Sequence, residues 1–155
     1  MAIPAAAQRS GRLTGDEVAA WLGFLRAHTK IIRTLDQELE AECGLSLAQY
    51  DVLAQLSAAS ERQLRMTELA DRVLLSRSGL TRLVDRLEGM GLVERQACPS
   101  DARGMYARLT DLGRERLRAA SGPHLRGVRE HVTGRLSQTE LRRLADLMGR
   151  LLAER

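Results

Sequence analysis

The chain has 155 residues, 44% apolar and 28% charged, which suits one globular domain with a core of its own. No apolar run approaches the roughly 18 residues of a membrane helix. Met1 to Gly11 lack the apolar stretch of a secretion signal and read as a tail, with disorder expected over residues 1–13. Aromatic residues make up only 3% of the chain, too few for stacking on bases or sugars to be its main business. The two cysteines, Cys43 and Cys98, lie far apart, so without a secretion signal the reading is a cytoplasmic protein with no disulfide framework.

The net charge is +4, and its distribution is uneven. Residues 1–61 carry 5 basic and 8 acidic side chains, residues 62–118 carry 12 and 8, and residues 119–155 carry 7 and 4. Lys30 is the only lysine. Arginine presents a planar fork that suits phosphate and guanine edges, although codon usage in a G+C-rich genome produces the same bias.

Thr14-Gly15-Asp16-Glu17 is a capping box, and Val18, Leu22, Leu25, Ile32, Leu35 and Leu39 then recur at helical spacing. One long helix is expected to about Cys43, with Gly44 as its stop. Ser46 to Gln49 form a second box, opening a helix to about Ala59. Thr67 is placed to cap a short third helix, Glu68 to Val73, and Ser76 a fourth, Arg77 to Met90, ended by Gly91. A hairpin follows from Leu92 to Leu109. Thr110 opens a fifth helix, which Gly122-Pro123 is expected to break or kink. Ser137 to Glu140 form a third box, opening a last helix with leucines at 141, 144, 147, 151 and 152.

The fold class is therefore mainly α: a winged helix-turn-helix with flanking N- and C-terminal helices. Those flanks have apolar faces and too few partners within one small chain. They pack on each other or on a second copy.

On a helical wheel Leu80, Leu83, Val84, Leu87 and Met90 share one side of the fourth helix. Ser78, Arg82, Asp85 and Gly89 lie opposite, flanked by Thr81 and Arg86, with Arg77 at the tip. Such a helix fits the major groove, where arginine reads guanine and hydroxyls read several base edges. Helix-turn-helix proteins make base contacts from the N-terminal part of this helix. Ser76, Arg77, Ser78, Thr81, Arg82 and Arg86 are the candidates. A solvated amphipathic helix is the plainer reading of that wheel.

The context is more specific. Residues 66–113 run MTELADRVLLSRSGLTRLVDRLEGMGLVERQACPSDARGMYARLTDLG. This stretch resembles the MarR family of winged helix-turn-helix regulators, through Thr67-Glu68-Leu69-Ala70, Ser76, Thr81, Leu83-Val84 and Leu87-Glu88. The match continues through Gly91-Leu92-Val93, Arg95, Asp101-x-Arg103 and Leu109-Thr110-x-x-Gly113. The outer helices fit the family plan in length and position but carry no comparable motif. The resemblance implies one domain over residues 14–155. Its winged helix-turn-helix lobe is expected at about 46–110, and its dimerisation helices at about 14–43 and 111–153. It implies a homodimer that reads a pseudo-palindrome in double-stranded DNA, with the fourth helix in the major groove and the wing tip in the minor groove.

In that frame Arg103 is the wing's DNA-reading residue, suited to the negative potential of a narrow minor groove. Asp101, which in the family holds that arginine and its loop, is otherwise an exposed ion-pair partner. For Arg95 and Arg108, on the wing strands, phosphate contact and plain solubility are both open. Many family members also bind a small, often aromatic, effector between the dimer helices and the DNA-binding lobe. Trp21, Phe24, His28 and Arg33 are candidates to line such a pocket, with dimer packing the alternative for Trp21 and Phe24. Cys98, expected exposed at its turn, offers a redox alternative, although the reactive cysteine of thiol-sensing relatives lies near the start of the chain. Cys43 reads as a small packed residue. His28, His124 and His131 lack zinc-ligand spacing, so no metal is expected, nor any cofactor. No nucleophile elbow, phosphate-cradling glycine loop or paired carboxylates mark an enzyme. A thiol enzyme built on Cys98 and a helical scaffold without DNA binding remain the readings outside this class.

Overall fold

The structure, a computed structural model, describes residues 12–73, 75–99 and 101–153, with the backbone alone at 101–103. Nearly all of the expected tail lies outside the described residues. Among the described residues six α-helices and three strands follow in the order α1 (Gly15–Cys43), α2 (Leu47–Ala58), β1 (Gln63–Arg65), α3 (Met66–Arg72) and α4 (Arg77–Gly89). The chain continues through β2 (Val93–Cys98), β3 (Asp101–Leu109), α5 (Asp111–His131) and α6 (Gln138–Leu152).

All three capping boxes form. The Thr14 hydroxyl accepts from the Glu17 N–H while the Glu17 carboxylate accepts from the Thr14 N–H at 2.7 Å, and Ser46/Gln49 and Ser137/Glu140 repeat the pattern. The backbone N–H of Thr14 holds the Glu17 carboxyl below its ordinary range, as the N–H of Ser137 does for Glu140. Gly44 takes a left-handed conformation and stops α1 where expected.

The core lies in the middle of the chain. Val52, Leu53 and Leu56 of α2, Leu69 of α3, and Leu80, Leu83, Val84 and Leu87 of α4 pack on Leu92 and on Val93, Ala107 and Leu109 of the sheet. Leu39 at the end of α1 and Leu117 and Ala120 of α5 join the same cluster. By contrast, every residue from Arg12 to Lys30 is exposed, and α6 buries none of its residues.

Thr110 joins the wing to α5. Its N–H donates to the Leu92 carbonyl, its hydroxyl donates to the Gly91 carbonyl at 2.7 Å, and the hydroxyl oxygen accepts from the Gly113 N–H. Gly113 passes so close to the residue before β2 that a Cβ there would sit 2.1 Å from the Leu92 oxygen. The spacing Leu109-Thr110-x-x-Gly113 is thus a joint between elements.

Several expectations need correction. Thr67 does not cap α3: the helix starts two residues earlier than expected, at Met66, with Arg65 at the cap position and no side-chain cap bond. Met90, expected on the core face of α4, is exposed at its C-cap. Pro123 does not break α5, which runs continuously through it. Packing of both halves on α1 and α2 holds the helix together. The sheet also gains a strand, with order β1-β3-β2 and antiparallel pairs such as Leu64↔Ala107 and Gln96↔Tyr106. The turn leading into β1 puts Glu61 and Arg62 in the left-handed region, with no glycine or asparagine to announce it.

Candidate nucleic-acid interface

Helix α4 divides as its wheel requires. Leu80, Leu83, Val84 and Leu87 are buried, and Arg77, Ser78, Thr81, Arg82, Asp85 and Arg86 are exposed. The Ser76 hydroxyl oxygen caps the helix by accepting from the Gly79 N–H at 3.1 Å, and it lies 3.4 Å from the Ser78 hydroxyl. Either of these two hydroxyls can donate to the other. The Thr81 hydroxyl donates back to the Arg77 carbonyl at 2.9 Å, which presents its methyl and lone pairs outward. Among the described residues, the side chains of Arg77, Arg82 and Arg86 make no hydrogen bond or ion pair. This face therefore carries three uncommitted guanidinium forks and three hydroxyls.

Arg95 differs from those three arginines. Its guanidinium donates to Glu88 at 2.5 Å, to Asp85 at 2.6 Å and to the Thr81 carbonyl at 3.2 Å, and its N–H donates to the other Glu88 oxygen. Its side chain is 19% exposed. Partial burial opposes its charge, but the bonds from Asp85 and Glu88 outweigh that and raise its pKa above the ordinary value. Arg108 faces Glu94 across the ladder at 3.7 Å and stays partly exposed. The wing turn leads into β3 at Asp101, and the side chains of Asp101 and Arg103 lie outside the described residues.

Cys98, expected to be exposed, is 4% exposed. It lies five residues after the buried Val93, so strict alternation would turn it to the opposite face. The irregularity between Ala97 and Cys98 turns it back inward. An Arg65 guanidinium nitrogen lies 3.4 Å from its sulfur, and that same guanidinium sits over the Tyr106 ring.

A second feature is an open cleft of about 840 Å³ between α1, α2 and the middle of α5. His28 and Arg33 line it together with Ile32, Leu47, Tyr50 and Asp51, while Trp21 and Phe24 do not. Instead, Trp21, Phe24 and His28 form a stacked row along α1, with successive centroids 6.2 and 6.3 Å apart. His124 of α5 also lines the cleft, its ring 4.4 Å from that of Tyr50. The His124 Nδ1 is buried without a partner among the described residues. Burial pulls its pKa below the usual histidine value, against the attraction of Asp51.

Reasoning from sequence missed Tyr50, Asp51 and His124 in the cleft and the carboxylate partners of Arg95. Asp85 and Glu88 stand three residues apart on α4, a spacing that places them on one side of the helix. Nothing local says that a strand residue returns to them.

The MarR family model matches residues 44–104. The HTH-type transcriptional regulator YdgJ of Bacillus subtilis is 30% identical over 119 residues, covering 77% of this chain and 71% of its own. The transcriptional repressor MprA of Escherichia coli is 26% identical, with 83% and 72% covered. Among solved structures, Sco3205 of Streptomyces coelicolor, a MarR family transcriptional regulator in complex with DNA, superposes with a TM-score of 0.87 at 38% identity. It covers 91% of this chain and 89% of that one. AbsC of the same organism, another MarR family regulator, superposes at 0.85 with 31% identity, covering 92% and 95%. Sequence identity over most of the chain, the close superposition and the winged helix-turn-helix itself agree: the chain belongs to the MarR family of transcriptional regulators.

Proposed function

We propose that the protein is a cytoplasmic, homodimeric, sequence-specific regulator of transcription that binds a pseudo-palindromic operator in double-stranded DNA. The observation that carries this reading is the exposed face of α4, where Arg77, Arg82 and Arg86 stand uncommitted beside Ser76, Ser78 and Thr81. Guanidinium forks and hydroxyls in that position are suited to base edges in a major groove. The DNA-bound relative at 38% identity supports it. In this reading residues 14–155 are one domain, with the lobe at about 46–110 reading DNA and the helices at about 14–43 and 111–153 pairing two copies. The exposed Val18, Trp21, Leu22, Phe24 and Leu25 of α1 and Leu144, Leu147 and Leu151 of α6 support the pairing. Asp101 and Arg103 form the minor-groove element of the wing, and Arg108 lies near a phosphate.

Regulation is assigned to the cleft beside α2. Its apolar wall of Ile32 and Leu47, with His28, Arg33 and Tyr50 at the rim, suits a small aromatic ligand bearing a hydrogen-bonding or anionic group. Filling it would bear on α1, α2 and α5 together and so on the spacing of the two α4 helices, releasing a repressor from its operator. The burial of Cys98 gives the thiol-based alternative less support.

Selection of genomic fragments on the purified protein tests the reading. A palindromic consensus is expected, bound with an affinity that falls steeply with salt. Arg82→Ala and Arg103→Ala should each weaken binding to that consensus at fixed salt by about tenfold or more, the scale of a lost base contact. Recovery of no preferred sequence would leave the helical scaffold reading in its place. Unchanged affinity in Arg103→Ala would remove the wing from the reading surface.

A further inference from the structure

The arginines around α4 are not equivalent. Arg77, Arg82 and Arg86 project from the helix with no partner among the described residues, whereas Arg95 reaches back from β2 and grips the helix at three successive points. Those points, Thr81, Asp85 and Glu88, follow the i, i+4, i+7 spacing of one helical stripe, about 10 Å long at the α-helical rise. Glu88 is engaged through both oxygens, one by the Arg95 side chain and one by its backbone N–H. The group is also poorly suited to phosphate. Two carboxylates surround one guanidinium, leaving the trio with a net negative charge, and three of the donors of Arg95 are already spent.

We propose that Arg95 is a positioning residue, which with Asp85 and Glu88 locks the rotation of α4 against the wing rather than contacting DNA itself. This rests on the DNA-reading role assigned to α4. The buried side of the helix is held by Leu80, Leu83, Val84 and Leu87, whose apolar burial is non-directional. The clamp acts on the solvent side, where a hydrogen-bonded fork has strict geometry. Rolling α4 by about 20° would move a side-chain tip, some 6 Å from the axis, by about 2 Å. That is enough to break a bidentate contact with a base. Because Arg95 is paired with Ala107 in the ladder, the clamp ties the reading helix to β3, and hence to the strand that carries Arg103.

The test compares Kd for the selected operator duplex and a scrambled duplex, across about 50 to 200 mM salt, in wild type and four variants. Arg95→Gln should weaken operator binding by about tenfold or more, leaving scrambled binding and the salt slope nearly unchanged. Arg95→Lys should behave like Arg95→Gln, because a single ammonium cannot bridge two carboxylates and a carbonyl in fork geometry. Asp85→Asn and Glu88→Gln give the test of sign. Each removes a negative charge near DNA, so electrostatics alone would tighten both duplexes, whereas loss of the clamp lowers the ratio of operator to scrambled affinity.

Uniform weakening on both duplexes in Arg95→Gln, with a salt slope smaller by about one and rescue by Arg95→Lys, would assign Arg95 to a phosphate and overturn the proposal. A lowered melting temperature with an unchanged operator-to-scrambled ratio would reduce the clamp to a stabilising contact and overturn it as well. If Arg95→Gln does not fold, Glu88→Gln and Arg95→Lys decide between the same outcomes. A wild type that does not distinguish the duplexes would overturn the proposed function. Variants that distinguish them as well as the wild type would overturn only the role of Arg95.

Discussion

The central lobe and the chain's two outer helices are built on opposite terms. From α2 to β3 most large apolar side chains are buried: Val52, Leu53, Leu56, Leu80, Val84 and Leu87 are each 0–1% exposed. In α6 and the first half of α1 none is, and Leu151 and Leu152 are 71% and 82% exposed. Both regions contain capped, amphipathic helices, α4 in the lobe and α1 and α6 outside it, so local propensity does not separate them. The lobe closes its core within one chain; the outer helices present faces that await a second surface. Stability of the lobe should therefore be independent of protein concentration, and that of the outer helices should not.

The largest effect expected from this contrast is at the core. Leu87→Ala should cost about 2–5 kcal/mol in urea unfolding, at any protein concentration. Leu147→Ala should cost little in dilute solution, and its effect should grow as the protein is concentrated. Equal losses for the two variants in dilute solution would erase the distinction.

Gly113→Ala tests the joint between the lobe and α5. A methyl group placed 2.1 Å from a backbone oxygen has no room without moving α5 or β2, so about 1–3 kcal/mol should be lost. A neutral result in thermal unfolding would mean that the joint yields easily. The two serine capping boxes sharpen the contrast further. Ser46→Ala should lower global stability by about 1 kcal/mol. Ser137→Ala, with the same cap geometry, should appear mainly as faster amide exchange in α6, since that helix packs on little else in the chain. If Ser137→Ala shifted the unfolding of the lobe as much as Ser46→Ala does, α6 would belong to the same cooperative unit.

The smallest effect concerns pH. His124 is held below its ordinary pKa of about 6.5, so the unfolded chain takes up this proton at a higher pH than the folded one. Its contribution makes stability fall as pH drops through the unfolded value, and the loss is complete below the folded value. His124→Gln should flatten unfolding free energy against pH in that window. An unchanged profile would assign the dependence to other groups.

Much of the fold was legible because its signals are local. Thr14, Ser46, Ser76 and Ser137 each cap the helix that their sequence announces, Gly44 ends α1, and the alternation of the wing gives β2 and β3. The exposed face of α4 was legible too, since a wheel needs only the helical period. The missed features depend on meetings between distant residues. β1 is three residues long and exists because Leu64 finds Ala107 beyond a turn that no glycine marks. Pro123 sits inside a continuous α5 because packing outweighs a local breaker. The cleft joins His28 and Arg33 to Tyr50 and His124 from other helices.

The sequence by itself determined the order and caps of the helices, the hairpin, the basic excess after Arg62 and the polar face of α4, because periodicity, caps and charge act within a few residues. Tertiary structure alone decided which arginines are uncommitted and which is held. Arg77, Arg82, Arg86 and Arg95 look alike along the chain. Only folding of the wing over α4 brings Asp85 and Glu88 within hydrogen-bond range of Arg95 and leaves the other three facing solvent. The physical reason is distance: a guanidinium in water is open to any acceptor, and the fold selects which one lies within 3 Å.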